Sequence, residues 1–184
     1  MDKTFSKAEI PDRLLQGYGI NPDLDDDTAS TKVLEVLNDV GFYTPTVAYA
    51  EGMASKGVKT FIYRFNEGNP WDGPWKGRAN HILDVAFLFQ NFNAYLEKPQ
   101  RQLAEAWAED VFKFCYGQSP WDEWKGDQRV AKVLGPEGRA EVVVDGPGEN
   151  GRSKVLWELA EMDAGGMDHL SKVLNDFLRG PPVT

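Results

Sequence analysis

Cysteine, histidine and long apolar runs are scarce in this chain of 184 residues. Cys115 is the single cysteine, which excludes an internal disulfide. No stretch approaches the roughly 18 uninterrupted apolar residues of a membrane-spanning helix, and the opening MDKTFSKAEIPDRL lacks the apolar core of a signal peptide. The formal net charge of -9 repels nucleic acid and anionic membranes. We therefore expect a globular protein that does not bind nucleic acid, and its compartment stays open.

The chain also lacks the motifs that hold common cofactors. It has no glycine-rich phosphate loop, no paired cysteines and no His-x-x-x-His, so neither a cofactor nor a metal is expected. The run Asp25, Asp26, Asp27 is the alternative, because carboxylates bind calcium. However, it lacks the glycine and the distal glutamate of a calcium loop, and apolar residues at helical spacing follow it. The favoured interpretation of the three aspartates is therefore a helix N-terminus.

Apolar periodicity and helix-terminus residues predict most of the elements as helices. They cover Ile10–Gln16, the segment from the aspartate run to a stop at Gly41, Thr44–Gly57, Pro99–Tyr116, Ser153–Glu161 and Ala164–Leu178. The helix Pro99–Tyr116 is amphipathic, and its apolar stripe is predicted to face inward. This stripe consists of Leu103, Ala106, Trp107, Val111, Phe114 and Cys115. Cys115 is therefore interpreted as a core residue and not as a nucleophile.

Val58–Phe65 is the one convincing strand before residue 129. Its alternating residues are mostly apolar on both faces, which predicts a strand covered on both sides in the middle of an α/β sheet. One face carries Phe61, Tyr63 and Phe65. Arg129–Leu134 and Arg139–Val144, joined by GPEG, are predicted to form a hairpin. Unless this hairpin joins the first strand, the unpaired strand edges predict poor solubility or self-association.

A loop rich in glycine, proline and tryptophan, Asn66–Asn80, separates the strand from His81. An apolar run that ends at Phe92 follows the histidine directly. In α/β hydrolases a loop beyond the end of a strand carries the general base, because such a loop lets an imidazole reach over the nucleophile. The loop tryptophans look exposed, and we expect them to pack against parts of the fold outside this chain. They are Trp71, Trp75, Trp121 and Trp124.

Three stretches carry a resemblance to a known family: FYTPTVAYAEG, FIYRFN and PWKGRANHILDVAFLF. They resemble the C-terminal third of the type B carboxylesterase and lipase family, whose cholinesterase-like members share the pattern G-x-x-H-x-x-E/D-x-x-Y/F-x-F. Asp84, Phe87 and Phe89 fit this pattern around His81. Gly77 departs from it, because it lies one residue further from the histidine than the pattern requires.

The resemblance implies a partial α/β-hydrolase fold, with residues 1–184 as a single partial domain of the C-terminal segment. It implies hydrolysis of small carboxylic esters through an acyl-enzyme, without a cofactor. It also implies that His81 is the catalytic general base, which takes the proton of a serine hydroxyl and returns it to the leaving alcohol. Asp84 matches the acidic position three residues further on, for which we expect an orienting and capping role and not triad membership.

The nucleophile of that family is absent from this sequence. Six serines are present and none lies in a G-x-S-x-G frame. Ser119 and Ser153 come nearest, but both lack the second glycine, and a proline follows Ser119. Each is interpreted as a turn or a helix cap. His169 is interpreted as a residue on the solvated face of its helix.

Three hypotheses remain open. In the first, the chain is part of an esterase that is completed by further sequence or by an N-terminal polypeptide that supplies the serine and the triad acid. In the second, it is a catalytically inactive remnant that binds a partner through a sheet edge and the tryptophans. In the third and least favoured, His81 acts with Asp84 or Asp72 in a minimal enzyme, although no attacking group is evident.

Overall fold

The structure, a computed structural model, describes residues 9–126, 128–145, 151–162 and 166–179. In chain order the helices and strands are Glu9–Gly17 (α1), Asp26–Asn38 (α2), Thr44–Ala54 (α3), Ile62–Phe65 (β1), Leu83–Phe89 (α4), Lys98–Cys115 (α5), Val130–Leu134 (β2), Ala140–Val144 (β3), Gly151–Met162 (α6) and Gly166–Arg179 (α7). The α/β class predicted from the sequence is confirmed, as are the hairpin and most of the helices.

The chain divides into two compact units. One, the helical unit, lies within Met1–Lys56 and Gly146–Thr184, and the other, the sheet unit, is Gly57–Asp145. The helical unit contains α1 to α3 with α6 and α7, and the sheet unit contains the strands with α4 and α5. That residues 1–184 make one partial domain stays a prediction.

The aspartate run begins α2, as the sequence predicted. Asp25 is the N-cap residue with extended backbone angles, and its carboxylate accepts hydrogen bonds from the backbone N–H of Thr28 at 2.9 Å and from the Thr28 hydroxyl at 2.7 Å. These hydrogen bonds lower the pKa of Asp25. Asp26 and Asp27 occupy the first turn, where the positive end of the helix dipole favours carboxylates.

Gly41 does not stop this helix, which corrects the prediction. A π-helical segment, Asp39–Tyr43, follows α2 directly and leads into α3 without a break. The backbone N–H of Thr44 bonds to the carbonyl of Asp39, five residues back, and the Thr44 hydroxyl donates to the Val40 carbonyl at 3.0 Å. Pro45 has no N–H to donate, and a wider turn at this point lets the chain stay helical past it.

Apolar faces and a few buried polar pairs hold the helical unit together. Helix α1 packs on α6, while α3 and α6 both pack on α7. Tyr18 donates to the buried Asp39 at 2.8 Å, and the indole N–H of Trp157 donates to the Tyr43 hydroxyl at 2.9 Å. Buried polar groups need such partners, so these bonds fix how the π-helical segment faces α1 and α6.

The sheet unit has three strands in the order β1-β2-β3. Strand β1 pairs in parallel with β2, from Ile62 opposite Ala131 to Phe65 opposite Leu134, and β2 pairs antiparallel with β3. The hairpin therefore joins the first strand. However, β1 is shorter than predicted and lies at an edge of this sheet, whereas β2, which is almost entirely buried, lies in the middle.

Helix α5 packs along one face of the unit through a core of Leu83, Phe87, Leu96, Leu103, Ala104, Trp107 and Leu134. The face of β1 that was predicted to be apolar makes aromatic contacts with this core. The ring centroid of Tyr63 lies 4.4 Å from that of Trp107, and the ring centroid of Phe65 lies 5.2 Å from that of Phe87. A buried ion pair joins Lys132 of β2 to Asp110 of α5. The ammonium group of Lys132 also lies 5.5 Å from the centre of the Trp121 ring.

Two predictions about burial are wrong. Cys115 and Phe114 were predicted to face inward, but both are exposed. They lie seven positions after Ala108 and Trp107 and so continue the same buried helix face, but little of the described chain covers the last turn of α5. Ala106 is exposed as well, and Ala104 is buried instead. Of the four loop tryptophans, Trp124 is 1% exposed, and its backbone N–H donates to the Thr60 carbonyl.

Within the described ranges, no helix is both long and apolar enough to span a membrane.

We expect Asp110→Ala to lower the free energy of unfolding by about 3 kcal/mol, because it leaves the ammonium group of Lys132 buried without its partner. Urea unfolding followed by circular dichroism measures this. Glu109→Ala is the matched control: the neighbouring carboxylate is exposed and pairs with Lys113, so its loss should leave stability nearly unchanged. Equal losses in the two variants would show that the pair to Lys132 contributes nothing.

Candidate active site

The loop that carries His81 is closed at a narrow neck. The backbone N–H of Gly77 donates to the carbonyl of Asn69 at 2.8 Å, and the N–H of Asn69 donates to the carbonyl of Arg78 at 3.1 Å. Within the segment that the neck encloses, Lys76 pairs with Asp72 at 2.7 Å. The two ends of the loop are thus held together, so the chain enters and leaves at almost one point.

A buried carboxyl group fixes the near side of this neck. Glu67 lies at the start of the loop, is 3% exposed, and accepts hydrogen bonds from three donors. The N–H of Gly138 donates to Oε2 at 2.7 Å, while the side-chain amide of Gln100 and the N–H of Gly68 donate to Oε1 at 3.0 and 3.1 Å. The side chain therefore joins the end of β1, the first turn of α5 and the β2–β3 turn.

Glycines let the backbone pack tightly around Glu67. A Cβ atom on Gly135 would lie 2.4 Å from the Glu67 nitrogen, and one on Gly138 would lie 2.5 Å from Pro99. Both glycines also have positive φ angles, of 88° and 71°, that other residues adopt at a cost. The GPEG turn thus closes the hairpin and also forms one wall around the carboxyl group.

His81 lies after the neck in the chain, in a tight turn between Asn80 and Leu83. The N–H of Leu83 donates to the carbonyl of Asn80 at 3.3 Å, and Ile82 has φ 69° and ψ 0°. These angles are those of the third residue of a type II turn, where glycine is favoured. Ile82 is β-branched and 57% exposed, so its left-handed backbone is strained without any gain in burial. Residues 72–82, which include His81, are all exposed.

Helix α4 follows this turn and is anchored on both sides. Leu83 and Phe87 enter the core of the sheet unit. Asp84, in the first turn of α4, accepts a hydrogen bond from the Tyr63 hydroxyl of β1 at 2.8 Å. The side chain of the N-cap residue, Ile82, makes no capping bond. Burial, with smaller contributions from the hydrogen bond and the charge of Asp84, raises the pKa of Tyr63.

The other candidate residues lie elsewhere. Asp72 is paired with Lys76, and the hydrogen bond and charge of Lys76 lower the pKa of Asp72. Ser119 is exposed in the irregular segment after α5, and Ser153 lies within α6. His169 is exposed on α7, as predicted. In the part of the chain that the structure describes, no three His, Cys, Asp or Glu side chains cluster closely enough to hold a metal ion.

Comparison with known proteins assigns the class. The structural match below shows that the three-stranded sheet, with the histidine loop after its parallel edge strand, is part of an α/β-hydrolase fold. The sequence model of the Carboxylesterase family matches residues 1–128, and the chain belongs to this family. The structure is similar to the crystal structure of the Geobacillus stearothermophilus carboxylesterase Est55 at pH 6.2, with a TM-score of 0.58 and 18% sequence identity. No curated protein matches the chain.

The match covers 73% of this chain but 30% of Est55, so the chain spans about a third of the solved carboxylesterase. At this level of identity the likeness concerns the fold alone. The family and the fold class predicted from the sequence are confirmed. The roles of His81 and Asp84 stay predictions.

Sequence reasoning missed three features of the site. A single glutamate in a polar loop gave no sign that Glu67 is buried. The left-handed backbone of Ile82 was also unexpected, since an isoleucine argues against it. Tyr63 was assigned to an apolar face, whereas its hydroxyl group bonds to Asp84. Only the alternation that directs the Tyr63 ring toward α5 could be detected in the sequence.

Gly135→Ala should destabilise the sheet unit by more than about 2 kcal/mol, because the new Cβ would meet the backbone of Glu67 at 2.4 Å. Gly117→Ala separates the steric clash from the cost of a positive φ angle. Gly117 has a φ of 74° but open space around it, so only the conformational cost of about 1 kcal/mol applies. Urea unfolding of both variants gives the difference. If they lose the same stability, the close approach to Glu67 is not a constraint.

Ile82→Gly should raise the free energy of unfolding by up to about 1 kcal/mol, because glycine adopts the left-handed backbone without strain and little buried surface is lost. Thermal unfolding of the full chain measures the change. Ile82→Ala, which keeps a Cβ atom, is the control and should not gain stability. A loss in Ile82→Gly beyond that in the alanine variant would show that the turn is not strained.

Proposed function

We propose that the chain is the histidine-bearing C-terminal segment of a carboxylic-ester hydrolase, with His81 as its general base. The chain belongs to the Carboxylesterase family, and the position of His81 in it is the observation that carries the proposal. His81 is exposed in a tight turn at the end of the loop that follows the parallel edge strand β1. Such a position offers an imidazole to a nucleophile while the base of the loop stays fixed.

The chemistry divides between this chain and further protein. A serine supplied from outside the described residues attacks the ester carbonyl as His81 takes its hydroxyl proton, and a tetrahedral intermediate forms. When the intermediate collapses, His81 gives the proton to the leaving alkoxide, and an alcohol departs. Water then attacks the acyl-enzyme with the same proton transfers, which releases the carboxylic acid and restores the serine. No cofactor takes part.

The free surfaces of the sheet unit support the need for a complementing polypeptide. Strand β1 pairs with β2 on one side, and no described strand pairs with its other side. Phe112, Phe114 and Tyr116 at the end of α5 are strongly exposed. An open strand edge and a group of exposed aromatic rings are both surfaces that adjoining protein would cover. The share of Est55 that the chain spans agrees with a larger complete enzyme.

A second candidate function uses the same surface without catalysis: the chain is an inactive remnant that binds a partner. The exposed aromatic end of α5 and the open edge of β1 favour it as well. The two candidates differ in whether His81 matters once the partner is bound. A chain that remains a monodisperse, partner-free monomer when it is offered the complementing polypeptide would count against both.

The test is reconstitution. We expect an N-terminal segment of a carboxylesterase of this family, one that carries G-x-S-x-G and the triad acid, to gain hydrolysis of a p-nitrophenyl ester when it is co-expressed with this chain. His81→Gln should reduce kcat by about 10⁴-fold, as the loss of a triad base does. His169→Gln is the matched control and should leave kcat unchanged, since His169 lies exposed on α7.

Labelling with a fluorophosphonate probe gives a second readout. The probe reacts with an activated serine, so the N-terminal segment should be labelled faster with the unaltered chain than with His81→Gln. If the complex forms and His81→Gln hydrolyses and labels as well as the unaltered chain does, His81 is not the base. A complex with no hydrolysis at all would support the binding function.

A further inference from the structure

The turn that contains His81 needs an external support, because its own backbone does not favour it. Ile82 holds a left-handed conformation at a β-branched residue, and such residues persist only where the surrounding structure determines them. On the side of the loop, residues 72–82 are exposed, so burial contributes little to holding the turn there. The contacts on the side of α4, which begins directly after the turn, provide a support that does not depend on the exposed loop.

Two kinds of contact hold the start of α4. Leu83 and Phe87 are buried, which sets the depth of the helix in the core. They lie on one face, however, and apolar contacts are not directional, so they leave the rotation of the short helix less well defined. The hydrogen bond from Tyr63 to Asp84, at 2.8 Å, is directional and lies three residues after His81.

Tyr63 is well suited to act as a fixed donor. It is on β1, hydrogen-bonded into the sheet opposite Lys132, and its ring lies 4.4 Å from that of Trp107 on α5. Strand and helix thus hold the ring, which leaves the hydroxyl direction as the one freedom of the side chain.

We propose that Tyr63 is a positioning residue for His81, which acts through its hydrogen bond to Asp84 and so holds the strained turn at Ile82 in place. This inference rests on the proposed function only where it concerns catalysis. The effect of Tyr63 on the position of His81 can be measured in this chain alone. Asp84, in this arrangement, is the acceptor through which the strand orients the turn, and its charge is not the feature that matters.

The chain contains two histidines, so its imidazole C–H signals give two readings by NMR. We expect relaxation of the ¹³C-labelled rings to show an ordered His81 ring in the unaltered chain and a clearly lower order parameter in Tyr63→Phe. Phenylalanine keeps the ring on Trp107 and removes only the hydroxyl. His169, in the helical unit, is the internal control and should not change.

Four further variants separate orientation from charge and from folding. Asp84→Asn keeps an oxygen that accepts from Tyr63, so His81 should stay ordered, whereas Asp84→Ala should disorder it as Tyr63→Phe does. The double variant Tyr63→Phe with Asp84→Ala should be no worse than either single variant, because both remove the same bond. Tyr116→Phe, at an exposed tyrosine, should leave His81 unchanged.

An unaltered chain with a disordered His81 ring would overturn the proposal, as would an order parameter that Tyr63→Phe leaves unchanged. A loss of order in Asp84→Asn as large as in Tyr63→Phe would also overturn it, because charge would then be the cause. In the reconstituted esterase, Tyr63→Phe should lower kcat about tenfold or more at unchanged KM. The NMR result needs no activity, so a failure of the positioning role and a failure of His81 as the base are seen separately.

Discussion

The buried carboxyl group of Glu67 is the constraint on which the candidate site depends. A carboxyl group taken out of water needs donors, and here three segments supply them: the β2–β3 turn through Gly138, the first turn of α5 through Gln100, and the loop itself through Gly68. Because the three segments must meet at one point, the backbone around them is crowded, and Gly135 and Gly138 are needed there. The neck of the histidine loop begins at the next residue, so its position is set by the same contacts.

The site is therefore rigid at its base and open at its tip. Glu67 and the neck hold the near side of the loop, and the bond between Tyr63 and Asp84 holds the far side, while the residues between them face solvent. This arrangement suits the role of general base that we propose for His81. The chain belongs to the Carboxylesterase family, and its match covers 30% of Est55, so the proposed chemistry needs groups from further protein.

Patterns with a short period predicted most of the fold. Helical spacing located the helices, alternation located β1 and its aromatic face, and turn residues located the hairpin. Features that depend on distant partners could not be predicted: the edge position of β1 follows from where the hairpin docks, the exposure of Cys115 from the end of the surface that α5 packs on, and the burial of Trp124 from a backbone contact with Thr60. Gly41 suggested a helix end because the sequence does not show that a π-helical turn can absorb the missing donor of Pro45. His81 itself was found through a motif, whereas Glu67, which anchors its loop, belongs to no pattern.

The closed neck between Asn69 and Arg78 also divides the loop into two parts with different evolutionary freedom. Residues on the β1 side of the neck are tied to buried partners, so substitutions there are transmitted to the fold. Within the tip, Trp71 packs against the core and against Phe92, whereas residues 72–76 are exposed, so insertions and deletions among residues 72–76 can change the local surface without moving the histidine. A family that retains this neck can vary the surface around the loop by exchanging tips, while the position of the residue at His81 stays constant.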